Sequence, residues 1–85
     1  MRADLVLKQT AIIKRRVIAK SLLERGYVLV NNKIAKPSTE VKNNDVLCVT
    51  LGQRIIKAKI TIELRGKKEI ALSEIVSVEK SQNES

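Results

Sequence analysis

From Arg54 to Leu64 the chain alternates without a break. Ile56, Ala58, Ile60, Ile62 and Leu64 fall on one side of an extended backbone, and Lys57, Lys59, Thr61 and Glu63 on the other. A helix cannot use a strict period of two, so this stretch predicts a strand with one apolar face that must be covered. Val46 to Leu51 precedes it as a second strand, with Leu47, Val49 and Leu51 pointing inward. Gly52-Gln53 joins the two, with glycine first as a type II′ hairpin turn prefers. A two-stranded hairpin cannot bury its own face, so the rest of the chain has to supply the cover.

The cover is predicted from the N-terminal third. Arg2 to Ala11 reads as a short helix, with Ala3, Val6, Leu7 and Thr10 as its apolar stripe and Asp4 complementing the dipole in the first turn. Ile12 to Lys14 turns the chain. A second helix over Arg16 to Arg25 puts Ile18, Ala19, Leu22 and Leu23 on one face. Gly26 suits the left-handed residue that ends a helix. Tyr27 to Val30 is a short strand, and Asn31-Asn32 is a turn, since Asn tolerates positive φ. Lys33 to Lys36 is a second extended piece, Pro37-Ser38-Thr39 a loop, and Asn43-Asn44-Asp45 another turn. After a basic turn at Arg65 to Lys68, the stretch Ile70 to Val78 fits more than one element; Ile75 to Val78 is the strand predicted there. The expected class is α+β, with two N-terminal helices packed on a small, mostly antiparallel sheet. One domain spans residues 1–78, and Glu79 to Ser85 is a polar tail.

Charge is distributed unevenly. Of 17 Lys and Arg and 9 Asp and Glu, residues 1–20 hold six cations and one acid, a net of +5 out of +8. Four of these cations, Lys14, Arg15, Arg16 and Lys20, lie at the start of the second helix, where the dipole is already positive. Arg16 and Lys20 also repel weakly at their one-turn spacing. Selection for stability alone would put an acid or a Ser, Thr or Asp cap there. A bound anion would offset both costs, because free N–H groups and cations would converge on it. A polyanionic partner follows from the charge, and a phosphate-binding surface from its placement.

Other chemistry is sparse. There is no His, hence neither the usual general base nor the usual metal ligand. Cys48 alternates with inward residues and reads as a small sheet residue; alone it forms no internal disulfide, which fits a reducing, cytosolic setting. The three glycines all sit at breaks, so no phosphate-cradling loop is formed. A non-enzyme without cofactor or metal is expected. With no Trp or Phe, Tyr27 alone cannot build a run of stacked bases, and its expected place is over the small core. Recognition is therefore expected through phosphates and the shape of folded RNA, or through a DNA groove. No apolar run approaches the roughly 20 residues that span a bilayer, and no membrane partner is expected, because the basic helix has no bulky aromatic on its apolar face and needs that face for the core.

Arg15-Arg16, Ala19-Lys20, Leu22-Leu23, Arg25-Gly26 and Val28-Leu29-Val30-Asn31 together resemble the alpha-L RNA-binding motif, the domain type of ribosomal protein S-four, over about residues 2–50. Met1-Arg2-x-Asp4, Ile13-Lys14, Lys36-Pro37-Ser38, Val41-Lys42 with Asp45, and Leu51-Gly52-Gln53 extend the match to about residue 64. They are similar to a bacterial subfamily of ribosome-associated quality-control factors, related to a ribosome-binding small heat-shock protein. The resemblance implies binding to large-subunit ribosomal RNA and to peptidyl-tRNA in the P site, while a NEMF-like factor extends the stalled chain. A monomer is expected. Carried over by position, Arg2, Arg15, Arg16 and Lys20 are the RNA-facing cations and Lys14 and Lys36 phosphate contacts. Asp4 is an acid beside them that contacts RNA or orients Arg2. Ala11 stands where relatives carry Arg, Arg15 where the motif often has a Ser or Thr cap, and Asn31-Asn32 where it has Asn-Gly. Leu5 and Val6 replace a polar-then-aromatic pair. A heat-shock-type rescue role, a ribosome-assembly role and a small DNA-binding regulator are the alternatives.

Overall fold

The computed structural model describes residues 1–80. Among these, helices α1 (Ala3–Gln9) and α2 (Arg16–Glu24) precede strands β1 (Val28–Val30), β2 (Lys33–Ile34), β3 (Val46–Leu51), β4 (Arg54–Arg65) and β5 (Lys68–Lys80). The strands form one sheet in the order β2-β1-β3-β4-β5, with every neighbouring pair antiparallel. The chain is α+β, and its two helices pack against this sheet as the alternation required.

The alternating stretch does form the long strand. Leu47 and Val49 on β3 and Ala58 and Ile60 on β4 are buried on the helix side, while Lys57 and Lys59 stay exposed. Gly52 has φ of 62° and starts the two-residue turn that pairs Leu51 with Arg54. Leu64, expected inward, is 72% exposed because the end of the hairpin runs past the helices. The buried cluster joins Ala3, Val6, Leu7, Ala19 and Leu23 of the helices to Val28, Val30, Leu47, Val49, Ile60 and Ala71 of the sheet. Each large aliphatic side chain removed from water there stabilises the fold by about 1.5–3 kcal/mol.

The buried stripe of α2 is narrower than predicted. Ala19 and Leu23 are buried and Leu22 is partly buried against the core, but Ile18 lies at the margin, 43% exposed. Tyr27 does not cover the core either; it is 46% exposed. The last strand is much longer than Ile75 to Val78. It begins at Lys68 and continues through Glu79 and Lys80, which therefore belong to the sheet. The rest of the expected tail, residues 81–85, lies outside the described residues. The pairing steps from Lys57↔Ser77 to Ala58↔Ile75, leaving Val76 as a bulge that interrupts the two-residue period. The Ala71 N–H on this edge strand donates to Oε1 of Gln9 at 2.8 Å and ties the sheet edge to α1.

Two local devices connect α2 to the sheet. The Gly26 N–H donates to the Leu23 carbonyl at 3.2 Å and the Tyr27 N–H to the Leu22 carbonyl at 2.9 Å. With φ of 82° at Gly26, these are the two bonds of a Schellman stop. After β1, Asn31 and Asn32 take φ of 51° and 70°, the pair of left-handed residues of a type I′ turn. The Asn31 side chain accepts the Val46 N–H at 3.0 Å and donates to Asp45 at 3.0 Å, fastening that turn to the start of β3.

Candidate nucleic-acid interface

Helix α2 begins uncapped. Arg15 at the N-cap is extended, makes no side-chain cap hydrogen bond, and no acid follows in the first turn. The first N–H groups of the helix have no intrahelical partner and face outward with the positive end of the dipole. Lys14, Arg15, Arg16 and Lys20 are all exposed around this end. Among the described residues none of the four is paired with a carboxylate. Four-residue spacing sets Arg16, Lys20 and Glu24 in one row, about 12 Å long at 1.5 Å per residue.

That row leads to an open cleft of about 530 Å³, because Glu24 is among its lining residues together with Arg2, Arg25, Lys36, Pro37 and Ser38. Three chain segments make the cleft. The Ala3 N–H donates to the Thr39 carbonyl at 2.9 Å and the Asp4 N–H to the Pro37 carbonyl at 3.2 Å, so the first turn of α1 is capped by the loop after β2. Within the loop, the Lys36 N–H donates to Thr39 Oγ1 at 2.8 Å and the Thr39 N–H returns to the Lys36 carbonyl at 3.0 Å. The Met1 amino group closes the edge by donating to Glu40 at 3.0 Å and to the Val41 carbonyl at 3.2 Å.

Arg2 is aimed by Asp4. Its Nε donates to Oδ1 and one of its terminal nitrogens to Oδ2, both at 3.1 Å. Oδ1 also accepts the Leu5 N–H at 2.8 Å. The Asp4 side chain is 5% exposed and that of Arg2 59%. Asp4 is therefore a holding group beneath the surface, and the outward part of the pair is the guanidinium.

Of the residues singled out in the sequence, Arg2 and Lys36 share the cleft, Arg16 and Lys20 form the row that reaches it, and Lys14 and Arg15 stand at the helix entrance. Arg25 was not singled out, yet it lines the same cleft. The signal was its position: the residue before the helix-ending glycine is placed by the stop itself. The surface thus presents free N–H groups and exposed cations, Arg2 held by Asp4 and the others without an ion pair among the described residues, which suit phosphates. Cys48 is half-buried on β3, and among the described residues no group of His, Cys, Asp or Glu could hold a metal ion. No described helix is long and apolar enough to cross a membrane.

Known proteins resemble this chain in sequence and in fold. The S4 domain family model matches residues 1–47. The chain is 46% identical over 72 residues to the RQC P-site tRNA stabilizing factor of Listeria innocua, covering 84% of this chain and 78% of that protein. It is 40% identical over 81 residues to the factor of the same name from Streptococcus pneumoniae, covering 91% of each. Among solved structures, Vibrio cholerae Heat Shock Protein 15, a trimer, superposes with a TM-score of 0.69 at 25% identity, covering 87% of this chain and 81% of that one.

Proposed function

Because the chain belongs to the S4 domain family and, within it, to the RQC P-site tRNA stabilizing factors, we propose that it steadies P-site tRNA on the large ribosomal subunit during ribosome-associated quality control. It acts by binding RNA, not by catalysis. Its ligands are large-subunit ribosomal RNA and peptidyl-tRNA, held through phosphates. It works in the cytoplasm as a monomer, beside a NEMF-like factor that lengthens the stalled chain.

The observation that carries this reading is the uncapped, acid-free start of α2 with its exposed cations, on the helix whose other end lines the cleft of Arg2, Arg25 and Lys36. An anion at the helix start would meet free N–H groups and the Arg15 and Arg16 guanidinium groups together. A second phosphate further along the same RNA would meet Arg2, held by Asp4, and Lys36. Two contact points spaced along one row set the orientation of a folded RNA without reading its sequence.

Affinity purification of the tagged protein from translating cells, with bound RNA and proteins identified, tests this. Large-subunit ribosomal RNA, tRNA and a NEMF-like protein recovered together support the quality-control role. Large subunits with tRNA and no such protein favour a heat-shock-type rescue role, the reading in line with the likeness to Heat Shock Protein 15. Recovery of duplex DNA, or of no ribosomal material, overturns both.

A further inference from the structure

The chain has one Tyr and no Phe or Trp, and that single ring is not spent on the core. Tyr27 is 46% exposed and lines a shallow concavity of about 290 Å³ with Arg25, Leu22, Thr50 and Gly52. The backbone beneath the ring is fixed from both sides. The Tyr27 N–H donates to the Leu22 carbonyl at 2.9 Å, and the Thr50 N–H donates to the Tyr27 carbonyl at 2.9 Å. Both bonding partners line the same concavity. Gly26, at φ of 82°, turns the chain so that Arg25 and Tyr27 flank it. Arg25 lines this concavity and the cleft of Arg2 and Lys36 as well, so the two hollows share a cation.

A half-exposed aromatic ring on a hydrogen-bonded backbone, lining a hollow beside a guanidinium that also lines the cleft of Arg2 and Lys36, suits one nucleotide whose base is not already stacked. We propose that the concavity takes a single unpaired base of the bound RNA, stacked on the Tyr27 ring, with Arg25 meeting the adjoining phosphate. One ring serves one base, so this is a local contact added to a surface that otherwise reads phosphates and shape. The proposal rests on the RNA-binding function given above and assigns it a requirement that phosphate contacts alone do not have, an unpaired base at a set place.

The test uses the full-length protein, a stem-loop RNA with an unpaired loop, and a blunt duplex RNA of the same nucleotide count. Since Tyr27 is the only aromatic residue, intrinsic tyrosine fluorescence reports on this site alone. The stem-loop is expected to quench it in a saturating curve, and the duplex to leave it nearly unchanged. Tyr27→Leu, which keeps an apolar cover, is expected to weaken stem-loop binding about tenfold and leave duplex binding as it was. Tyr27→Phe keeps the ring and is expected to bind like wild type. Unchanged fluorescence at saturation, equal quenching by the duplex, wild-type binding by Tyr27→Leu, or loss of binding in Tyr27→Phe would each overturn the stacking site while leaving the RNA-binding function standing. Failure of the wild-type protein to bind either RNA would overturn both.

Discussion

The Arg2 guanidinium and the Asp4 carboxylate form a two-pronged pair, with both N···O distances 3.1 Å, at the first turn of α1. Asp4 is buried and also accepts the Leu5 N–H, so the acid is the fixed half and the cation the half offered outward. Asp4→Asn keeps the shape but removes the charge that holds Arg2 and complements the helix dipole. We expect it to lower stability by about 1 kcal/mol, since the Arg2 side is well solvated. RNA affinity should fall several-fold through the freed Arg2. Urea melts and RNA titrations on the same preparation check both; unchanged RNA affinity would separate Asp4 from the binding surface.

Arg16 should behave in the opposite way. Its side chain is exposed at the uncapped end of α2 and makes no ion pair among the described residues. Arg16→Ala is expected to weaken RNA binding by roughly 1–3 kcal/mol if it removes a charge-assisted phosphate bond. It should also lower the slope of log affinity against log salt by about one, as loss of one phosphate contact requires. Stability should hardly change, or rise slightly as repulsion with Lys20 and the dipole is relieved. Binding equal to wild type would show that the α2 end is not the contact.

Gly26 carries a conformational burden that space alone does not explain. A Cβ there would meet Ile34 Cγ2 at 3.9 Å, an ordinary contact, but φ is 82°. Gly26→Ala should therefore cost about 0.5–1 kcal/mol net, backbone strain of about 1–2 kcal/mol being partly offset by the stiffer unfolded chain. The same change should disturb Arg25 and Tyr27, which the stop sets on either side, so RNA affinity should drop along with Tm. A melt unchanged from wild type would show that the Schellman stop carries no strain penalty.

Most of this fold was legible where one local rule decides the outcome. The period of two in β4, the glycine-first turn at Gly52 and the helix-ending Gly26 each act within a few residues, and the structure has all three. The length of β5 was not legible, because the bulge at Val76 shifts its apolar residues from one parity to the other. Burial was also harder to read than face. Leu64 lies where the alternation would bury it, but the end of the hairpin runs past the short helices, and Ile18 falls at the margin of an α2 stripe that buries only Ala19 and Leu23 fully. In the candidate site, the α2 cations could be found from their place in one helix. The cleft could not, since Arg2 and Lys36 are brought together by the hydrogen bonds of the loop at residues 36–40 with the start of α1, and Arg25 lines it from the end of α2.

One position runs against local preference with a predictable sign. Ala11 follows the Thr10 C-cap of α1 and has φ of 59°, and its N–H donates to the Lys8 carbonyl at 3.1 Å. This is the left-handed place after a helix end that glycine fills at no steric cost. An alanine there carries about 1–2 kcal/mol of strain, while glycine would lose about 0.4–1 kcal/mol through the freer unfolded chain. Ala11→Gly should therefore stabilise the protein by about 0.5–1 kcal/mol and raise Tm by roughly 3–6 °C. Ala19→Gly inside α2 should do the reverse, because there φ is helical and the methyl is fully buried. Thermal melts of the two variants side by side decide the matter: a destabilised Ala11→Gly would show that residue 11 is held by side-chain packing and not by its backbone conformation.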